Sequence, residues 1–290
     1  MKVPKHLMMT RLMTVGLRLP PTRTPTEAGL EYEDVEFTAS DGLDLKGWFV
    51  PAGPDKGPVV FFVHGWMWNR LGNVSGRVPF VDKDVDFLPT VKALHDAGFH
   101  VLLFDLANHG VSATRFPITF GQWEARDMIG AVAYLRTRDD VDGERIGSIA
   151  TSMGGNAALY AAPYCQPLKA LLCVQPNRAG DFTARFAADQ LGKVGPAMVK
   201  PLDLFYAAAR APRPSRANPS IPARRLTETM VKYVQGTGDP WGSMENVQDM
   251  VDVSPRTLPL VKYPSTDRYT GYRYISEQSE DVVAFFQEYL

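Results

Sequence analysis

The stretch that most constrains this chain is Arg145-Ile-Gly-Ser-Ile-Ala-Thr-Ser-Met-Gly-Gly-Asn-Ala-Ala-Leu-Tyr-Ala-Ala-Pro163. It opens as a short apolar run, Ile146 to Ala150, passes into small residues, and continues at helical spacing through Leu159. A strand that turns sharply into a helix needs small residues on both sides of the turn, because Cβ atoms would collide there. Gly154 and Gly155 provide that room after Ser152, and Ala150 provides it two residues before. Ser152 then stands at the tip of the turn with its hydroxyl exposed. The helix N-terminus behind it offers free N–H groups to a developing negative charge. This is the geometry of a nucleophile elbow; the usual Gly-x-Ser-x-Gly reads here Ala150-Thr-Ser152-Met-Gly154, with a small residue kept at the first position. The plainer alternative is a strand–helix junction with a capping serine.

The rest of the chain supplies a sheet for that turn to sit in. Glu31 to Thr38 alternates and reads as a strand, Ser40-Asp41-Gly42 is turn chemistry, and Leu43 to Val50 completes a hairpin. Pro58 to Val63, Phe99 to Asp105 and Leu168 to Val174 are continuous apolar runs, as expected of strands covered on both faces. Phe87, Val91 and Leu94 give one helix, stopped by Gly98; Ala125, Met128, Val132 and Leu135 give another. Val231 to Gln235 and Thr257 to Tyr263 read as late strands, and Val282, Phe285, Phe286 and Tyr289 face a closing helix inward. Strands alternating with helices imply α/β architecture: a mainly parallel, doubly wound sheet with an antiparallel hairpin at its start. Residues 175–230 break the rhythm with helical pieces at Phe182 to Leu191 and Leu202 to Ala209 and a Pro/Arg-rich loop. An insertion there would lie over the carboxyl ends of the strands, where ligands bind in open α/β sheets, and reads as a lid. The expected organisation is an arm and linker over 1–30, a core over 31–174 and 231–290, and the lid between.

Composition narrows the function classes. A net charge of −1 offers no basic field for nucleic acid. Cys165 and Cys173 form neither a disulfide framework nor a metal site, and they fit a reduced, cytoplasmic setting. No metal spacing and no Gly-rich phosphate loop points to a cofactor. The first nineteen residues lack the apolar core of a signal peptide, and no stretch approaches the ~20 apolar residues that span a bilayer. That segment is expected to be an amphipathic arm for docking on the domain, on another subunit in a homo-oligomer, or on a membrane surface.

Four signals in order then resemble the α/β-hydrolase fold, in its serine-hydrolase-like branch with an N-terminal extension. They are His64-Gly65 after a strand, Phe104-Asp105 followed by Asn108-His109-Gly110 and Ser112, Ser152-Met-Gly-Gly, and Gly238-Asp239 after a late strand. The resemblance covers residues 30 to 290, with the lid as its variable part. It implies Ser152 as nucleophile, the backbone N–H groups of Trp66 and Met153 as oxyanion hole, and Asp239 as the acid that orients a catalytic histidine. Trp66, Met67 and Trp68 could line an apolar acyl pocket, and Tyr269, Tyr272 and Tyr274 could contact ligand.

The histidine departs from this pattern. It belongs between the last strand and the closing helix, where this chain reads Tyr263-Pro-Ser-Thr-Asp267-Arg268-Tyr269-Thr-Gly271-Tyr272, and all five histidines precede Ser152. Arg268 falls near its place, and a guanidinium cannot act as a general base. Four arrangements stay open. His64 or His109 could serve as base from the opposite side; Asp267 or Asp239 could act as a weak base; Arg268 could hold an anionic group beside an oxyanion hole; or catalysis is lost and a binding pocket kept. The expected activity is accordingly a serine hydrolase of small, largely apolar esters or thioesters with a non-standard base. The alternative is an inactive homologue that binds a small ligand or a partner.

Overall fold

The computed structural model describes residues 5–166 and 168–290. Its centre is an eight-stranded sheet. β1 (Glu33–Thr38) and β2 (Asp44–Val50) form the antiparallel hairpin, and β3 (Gly57–Val63) follows. The two-residue strands β4 (Gly72–Asn73) and β5 (Val85–Asp86) pair only with each other. β6 (His100–Phe104), β7 (Val141–Thr151), β8 (Ala170–Val174), β9 (Met230–Gly236) and β10 (Val261–Tyr263) complete the main sheet. Its order is β1-β2-β6-β3-β7-β8-β9-β10, and every pairing from β6 to β10 is parallel. This is the α/β-hydrolase arrangement that the motifs imply.

The apolar runs explain the centre. β3, β6 and β8 are Val-, Leu- and Phe-rich, and nearly every residue in them is buried because helices cover both faces. α1 (Lys5–Val15) belongs to the arm; α2 (Leu88–Asp96), α3 (Ala125–Leu135) and α4 (Met153–Ala161) alternate with the strands. α5 (Ala179–Leu191), α6 (Val199–Ala208) and the short α7 (Ser220–Ala223) form the insertion between β8 and β9. α8 (Met244–Val253), α9 (Arg268–Tyr272), α10 (Tyr274–Glu277) and α11 (Ser279–Tyr289) close the chain.

Two expectations need correction, and one helix adds to the expected elements. The last strand is shorter than Thr257 to Tyr263: only Val261–Tyr263 is laddered, and Thr257 makes an isolated bridge to Val231. The segment expected as the histidine loop instead contains α9, started by a capping box in which Asp267 accepts from the Thr270 N–H and Thr270 returns the bond. The chain from 244 to 253, which carries no strong signal in sequence, is helical; Ser243 caps it and Val247, Met250 and Val251 face inward.

The arm packs on its own domain. Met9, Leu12 and Met13 are buried at the spacing of one helix face. The Ile118 N–H donates to the Thr14 carbonyl at 2.8 Å, and the Tyr206 hydroxyl of α6 donates to the Met13 carbonyl at 3.2 Å. Among the described residues, no helix is long and apolar enough to cross a membrane.

Glycine is required where β7 meets α4. A Cβ on Gly154 would stand 2.2 Å from the Val63 carbonyl oxygen and 2.6 Å from that of His64, so backbone would have to move. Gly143, at the outer end of the same strand, would meet only the Arg136 side chain, at 3.5 Å. Gly154→Ala is expected to cost about 3 kcal/mol or more by overpacking. Gly143→Ala should stay within about 0.5 kcal/mol. Urea denaturation of the two variants, compared by midpoint at unchanged slope, checks the contrast.

Candidate active site

Backbone strain marks the site's edge of the sheet. Among the described residues six non-glycines have positive φ, and four of them follow strand ends: Met67 (65°), Asn108 (69°), Ser152 (53°) and Gln175 (51°). L-residues reach this region at a cost of about 1–3 kcal/mol each, and such costs concentrate where function needs a side chain aimed. Ser152 has φ 53° and ψ −118° and stands immediately before α4. Its N–H donates to the Val174 carbonyl at 2.9 Å, and its carbonyl accepts from Asn156 N–H at 3.0 Å. The side chain is left free to project from the turn, and the residue is 9% exposed.

The loop after β3 closes on the same turn. A Cβ on Gly65 would lie 3.3 Å from the Ser152 Cβ and 3.2 Å from the Trp68 ring, a tight fit that glycine relieves. Met153 opens α4, and the first N–H groups of a helix have no intrahelical acceptor. The Trp66 N–H has no backbone acceptor among the described residues. Trp66, Met67, Trp68, Phe80, Phe182, Trp241, Tyr269 and Tyr272 wall the cavity in which Ser152 and Arg268 meet. The cavity is narrow, with room between its walls for about one water.

Arg268 occupies the middle of the arrangement. Its Nη2 donates to Ser152 Oγ at 3.0 Å, and its Nη1 donates to Asp239 Oδ2. The guanidinium therefore bridges the serine and the acid where the resemblance calls for an imidazole. Both partners are sealed: the side chains of Arg268 and Asp239 are 5% and 0% exposed. Burial alone would lower the Arg268 pKa, but the Asp239 carboxylate and the neighbouring tyrosines outweigh it and raise it above the ordinary value. Phe182 and Tyr272 flank the guanidinium at 5.3 and 5.4 Å from their ring centroids, adding cation–π contact.

Two residues hold the pair in place. Asp239 spends its whole carboxylate: Oδ1 accepts from the N–H groups of Trp241 and Gly242, both at 3.0 Å, and Oδ2 accepts from Arg268 and, at 3.2 Å, from Gln235 Nε2. It is thus both the turn residue before Pro240 and the counter-ion of Arg268. Gln175 grips α9 from the other side. Its Nε2 donates to the Arg268 carbonyl at 2.8 Å, its Oε1 accepts from Gly236 N–H at 3.2 Å, and its own carbonyl accepts from Arg268 Nη2 at 3.4 Å. Sequence reasoning missed Gln175, which carries no motif; its role follows from a left-handed backbone that only the coordinates reveal.

The histidines are used elsewhere. His64 is fully buried; Nδ1 donates to the Gly65 carbonyl at 2.8 Å, and Nε2 accepts from Leu106 N–H at 3.0 Å. His109 Nδ1 donates to the Ala107 carbonyl at 2.8 Å, and its ring packs edge-on against His64 at 5.1 Å. Neither ring hydrogen-bonds to Ser152, so the surrogate-base arrangement considered for them is not formed; both pin loops. Asp267 is likewise engaged, as the cap of α9 and the partner of Lys83 at 2.5 Å. Burial would raise its pKa, yet Lys83 and the Thr270 N–H hold it below the usual range, opposite to what a base needs.

Trp68 and Tyr269 do reach the site. Trp68 packs edge-on to Tyr272 at 4.8 Å, and Tyr269 packs edge-on to Trp241 at 6.2 Å. The Tyr272 hydroxyl is buried beside Ser152 and Gln175, with no hydrogen bond of full geometry among the described residues. Burial pushes its pKa up to about 12 against the pull of Arg268, so at neutral pH it is a protonated donor. No cluster of His, Cys, Asp or Glu among the described residues could hold a metal.

With this geometry in place, comparison with known proteins is specific about the class. The family model described as "Alpha/beta hydrolase family" matches residues 60–290. The chain belongs to the alpha/beta hydrolase family. Among curated relatives, an uncharacterized protein of Salmonella typhimurium, YfhR, is 34% identical over 146 residues, covering 49% of this chain and 43% of the relative. A thiohydrolase of Aspergillus aculeatus, aneE, is 27% identical over 165 residues, covering 56% of this chain and 47% of the relative. Each match therefore spans less than half of the relative. An esterase of Pyrococcus furiosus superposes with a TM-score of 0.71 at 23% identity, covering 94% of this chain and 97% of that one, which shows a shared fold.

The histidine network generates a pH prediction. Burial, reinforced by His109, lowers the His64 pKa from 6.5 to about 3, and burial lowers that of His109 too. Above pH 6.5 folded and unfolded chains both hold neutral rings and no stability is at stake. Below it the unfolded chain binds a proton that the folded ring refuses, so stability falls as pH drops from 6.5 toward 3. His64→Asn should start less stable but lose less stability between pH 7 and pH 4.5. Urea midpoints across that window measure the difference; parallel slopes for the two proteins would contradict it.

Proposed function

We propose that the Ser152 site binds the carbonyl or carboxylate end of a small, largely apolar acyl compound, and that Arg268 has replaced general-base chemistry there with anion recognition. One observation carries the reading: the side chains around the serine hydroxyl supply donors and no free base. Arg268 donates to Oγ, and the protonated Tyr272 hydroxyl lies beside it in the same cavity. The amides of Trp66 and Met153, in the role the family resemblance gives them, would add two more. A donor-rich, base-free site is suited to holding negative charge on a ligand oxygen.

The same geometry opposes triad turnover. Acyl transfer through Ser152 needs an acceptor for its proton as the hydroxyl attacks. Arg268 cannot accept one, Asp239 is saturated with donors, and His64 and His109 bind backbone. Arg268 also donates to one of the two lone pairs of Oγ, which makes the oxygen a weaker nucleophile.

A second reading is favoured by the strained φ of Ser152. Strain of that kind is retained where a nucleophile is presented. In this reading Ser152 is the nucleophile of an acyl hydrolase, and the Arg268 cation stabilises its alkoxide. The aneE match, a thiohydrolase, supports an acyl substrate in either case. The oxyanion hole and binding alone leave roughly 10³–10⁴-fold catalysis when a triad member is missing, so this hydrolase would be slow.

Fluorophosphonate labelling separates the two. The binding reading expects no labelling of the native protein on the time scale of an ordinary serine esterase. It also expects labelling to appear in Arg268→His, which puts an imidazole between Ser152 and Asp239, and to vanish when Ser152→Ala is added. Rapid labelling of the native chain at Ser152 would establish the hydrolase instead. For the ligand, the double variant Arg268→Met/Asp239→Asn avoids leaving a buried carboxylate unpaired. It should weaken carboxylate binding by about 10- to 100-fold, the range for loss of a charge-assisted hydrogen bond. Unchanged affinity in the folded variant, read by titration calorimetry, would remove Arg268 from the binding site.

A further inference from the structure

We infer that the outer face shared by α1 and α6 docks on an anionic phospholipid surface, with both helices lying along it. The inference stands apart from the Ser152 reading. Charge is divided unevenly along this chain. Residues 1–24 and 191–225 hold twelve of its 31 Lys and Arg and one of its 32 Asp and Glu, in a protein whose net charge is −1. The arm and the insertion are therefore basic and the rest of the molecule acidic. Such a field draws in an anionic partner and orients the protein toward it.

Large apolar side chains are exposed among those cations. On α1, Leu7, Arg11 and Val15 recur four residues apart and form an outward stripe, on the side away from the buried Met9, Leu12 and Met13. On α6, Lys200 and Leu204 repeat that spacing, Phe205 lies beside them and Arg210 follows the helix, all exposed, while Tyr206 is buried. The two stripes join through the segment before α3. Phe116 meets Phe205 edge-on at 5.8 Å. Ile118 is bonded to Thr14 of α1 at 2.8 Å and to the Tyr206 hydroxyl of α6 at 2.5 Å. Leu7, Phe116 and Leu204 are each more than half exposed. One exposed apolar side chain is ordinary; several on one joined face mark a contact surface.

The cations of this face are left without partners. Elsewhere on the surface cations pair with nearby carboxylates, Lys46 with Glu36 and Lys92 with Asp96. Among the described residues Arg11, Lys193, Lys200 and Arg210 form no ion pair. Asp203, the one acid of α6, is turned to Ser215, accepting its N–H at 3.2 Å and its hydroxyl. The mixing of the two kinds of side chain decides the occupant. Protein interfaces gather apolar groups at a dry centre and keep charge at the rim. Here apolar and basic residues alternate along each helix, which suits a layer that presents phosphate and hydrocarbon at neighbouring depths. Long basic side chains reach the phosphates while Leu, Val and Phe enter the acyl boundary beneath them.

Co-sedimentation of the full chain with vesicles tests this, using phosphatidylcholine alone and phosphatidylcholine with one third phosphatidylglycerol. The protein is expected to bind the mixed vesicles at least tenfold more tightly than the neutral ones, and to be released by high salt. Each basic residue near an anionic surface contributes about fivefold, so Arg11→Glu/Lys200→Glu should weaken binding by at least about 20-fold. Leu204→Gln should weaken it by about fivefold. These side chains are exposed, so unchanged urea midpoints are expected. Lys56→Glu/Lys262→Glu makes the same change of charge at exposed positions outside this face and should leave binding within about threefold. Equal weakening by the two charge-reversed pairs, or equal binding to neutral and anionic vesicles, would overturn the inference. So would binding to neither; a dimer that Leu204→Gln dissociates would then assign the face to a second copy of the chain.

Discussion

The contact from Arg268 to Asp239 and Ser152 is the one on which the rest of the site depends. A guanidinium and a carboxylate taken out of water lose several kcal/mol of hydration each, and their mutual attraction offsets this only where the geometry is good and the remaining donors and acceptors are matched. Both conditions hold: each oxygen of Asp239 has two donors, and the guanidinium divides its Nη atoms between the acid, the serine and the Gln175 carbonyl. Removing one partner alone would strand a buried charge, at a cost of about 3–5 kcal/mol. The pair is therefore a fixed part of the fold as well as of the site. It explains why Gln175 bears a left-handed backbone and why Gly236 and Gly271 lie against it, since a Cβ at either would come within 2.6 Å of the Gln175 amide.

Seen from that pair, the ends of the parallel strands divide the labour. The loop after β3 brings His64-Gly65-Trp66 against the serine. The turn after β7 presents Ser152, the turn after β8 presents Gln175, the turn after β9 presents Asp239, and α9 delivers Arg268. The loops that follow β3 and β6 are tied to each other through His64 and through Asp105, whose carboxylate takes the Arg70 N–H and guanidinium at 2.8 Å each and the Val111 N–H at 2.9 Å. His64 and His109 thus hold loops at the rim, and the residue between Ser152 and Asp239 is a permanent cation.

Much of this was legible in sequence, and the limits have physical causes. The sheet followed from apolar runs at β3, β6 and β8, since strands buried on both faces leave no alternative pattern. The turn at Ser152 followed from small residues that no other local structure needs. The position of Arg268 also followed, because order along the chain placed it after the last strand. What did not follow was set by contacts between distant segments. The capping box of α9 spans four residues, too few for periodicity to register. Gln175 matters only because β8 ends beside β9. The fate of His64 and His109 depended on which backbone group each ring met, and sequence gave no hint that His64 binds backbone through both nitrogens and His109 through Nδ1 alone.

The arrangement also bears on how a ligand would enter. The insertion is tied to the segment that carries Asp239 by polar contacts spread along α5 and its leading edge: Arg178 to Asp249 at 2.7 Å, Asn246 to Asp181 at 2.6 Å, and the Trp241 indole to Asp189 at 3.2 Å. All three involve exposed or half-exposed charges, whose contacts are individually weak. The aromatic partition beneath them is apolar, with Phe186 edge-on to Trp66 and Trp241 and stacked on Phe182, contacts worth about 0.5–1.5 kcal/mol per pair beyond burial. A closed state held by several small terms opens at modest cost, whereas the Arg268–Asp239 pair does not. Under the proposed reading, the insertion over the cavity is therefore the adaptable wall of the site, and the Arg268–Asp239 pair beneath it is the rigid one.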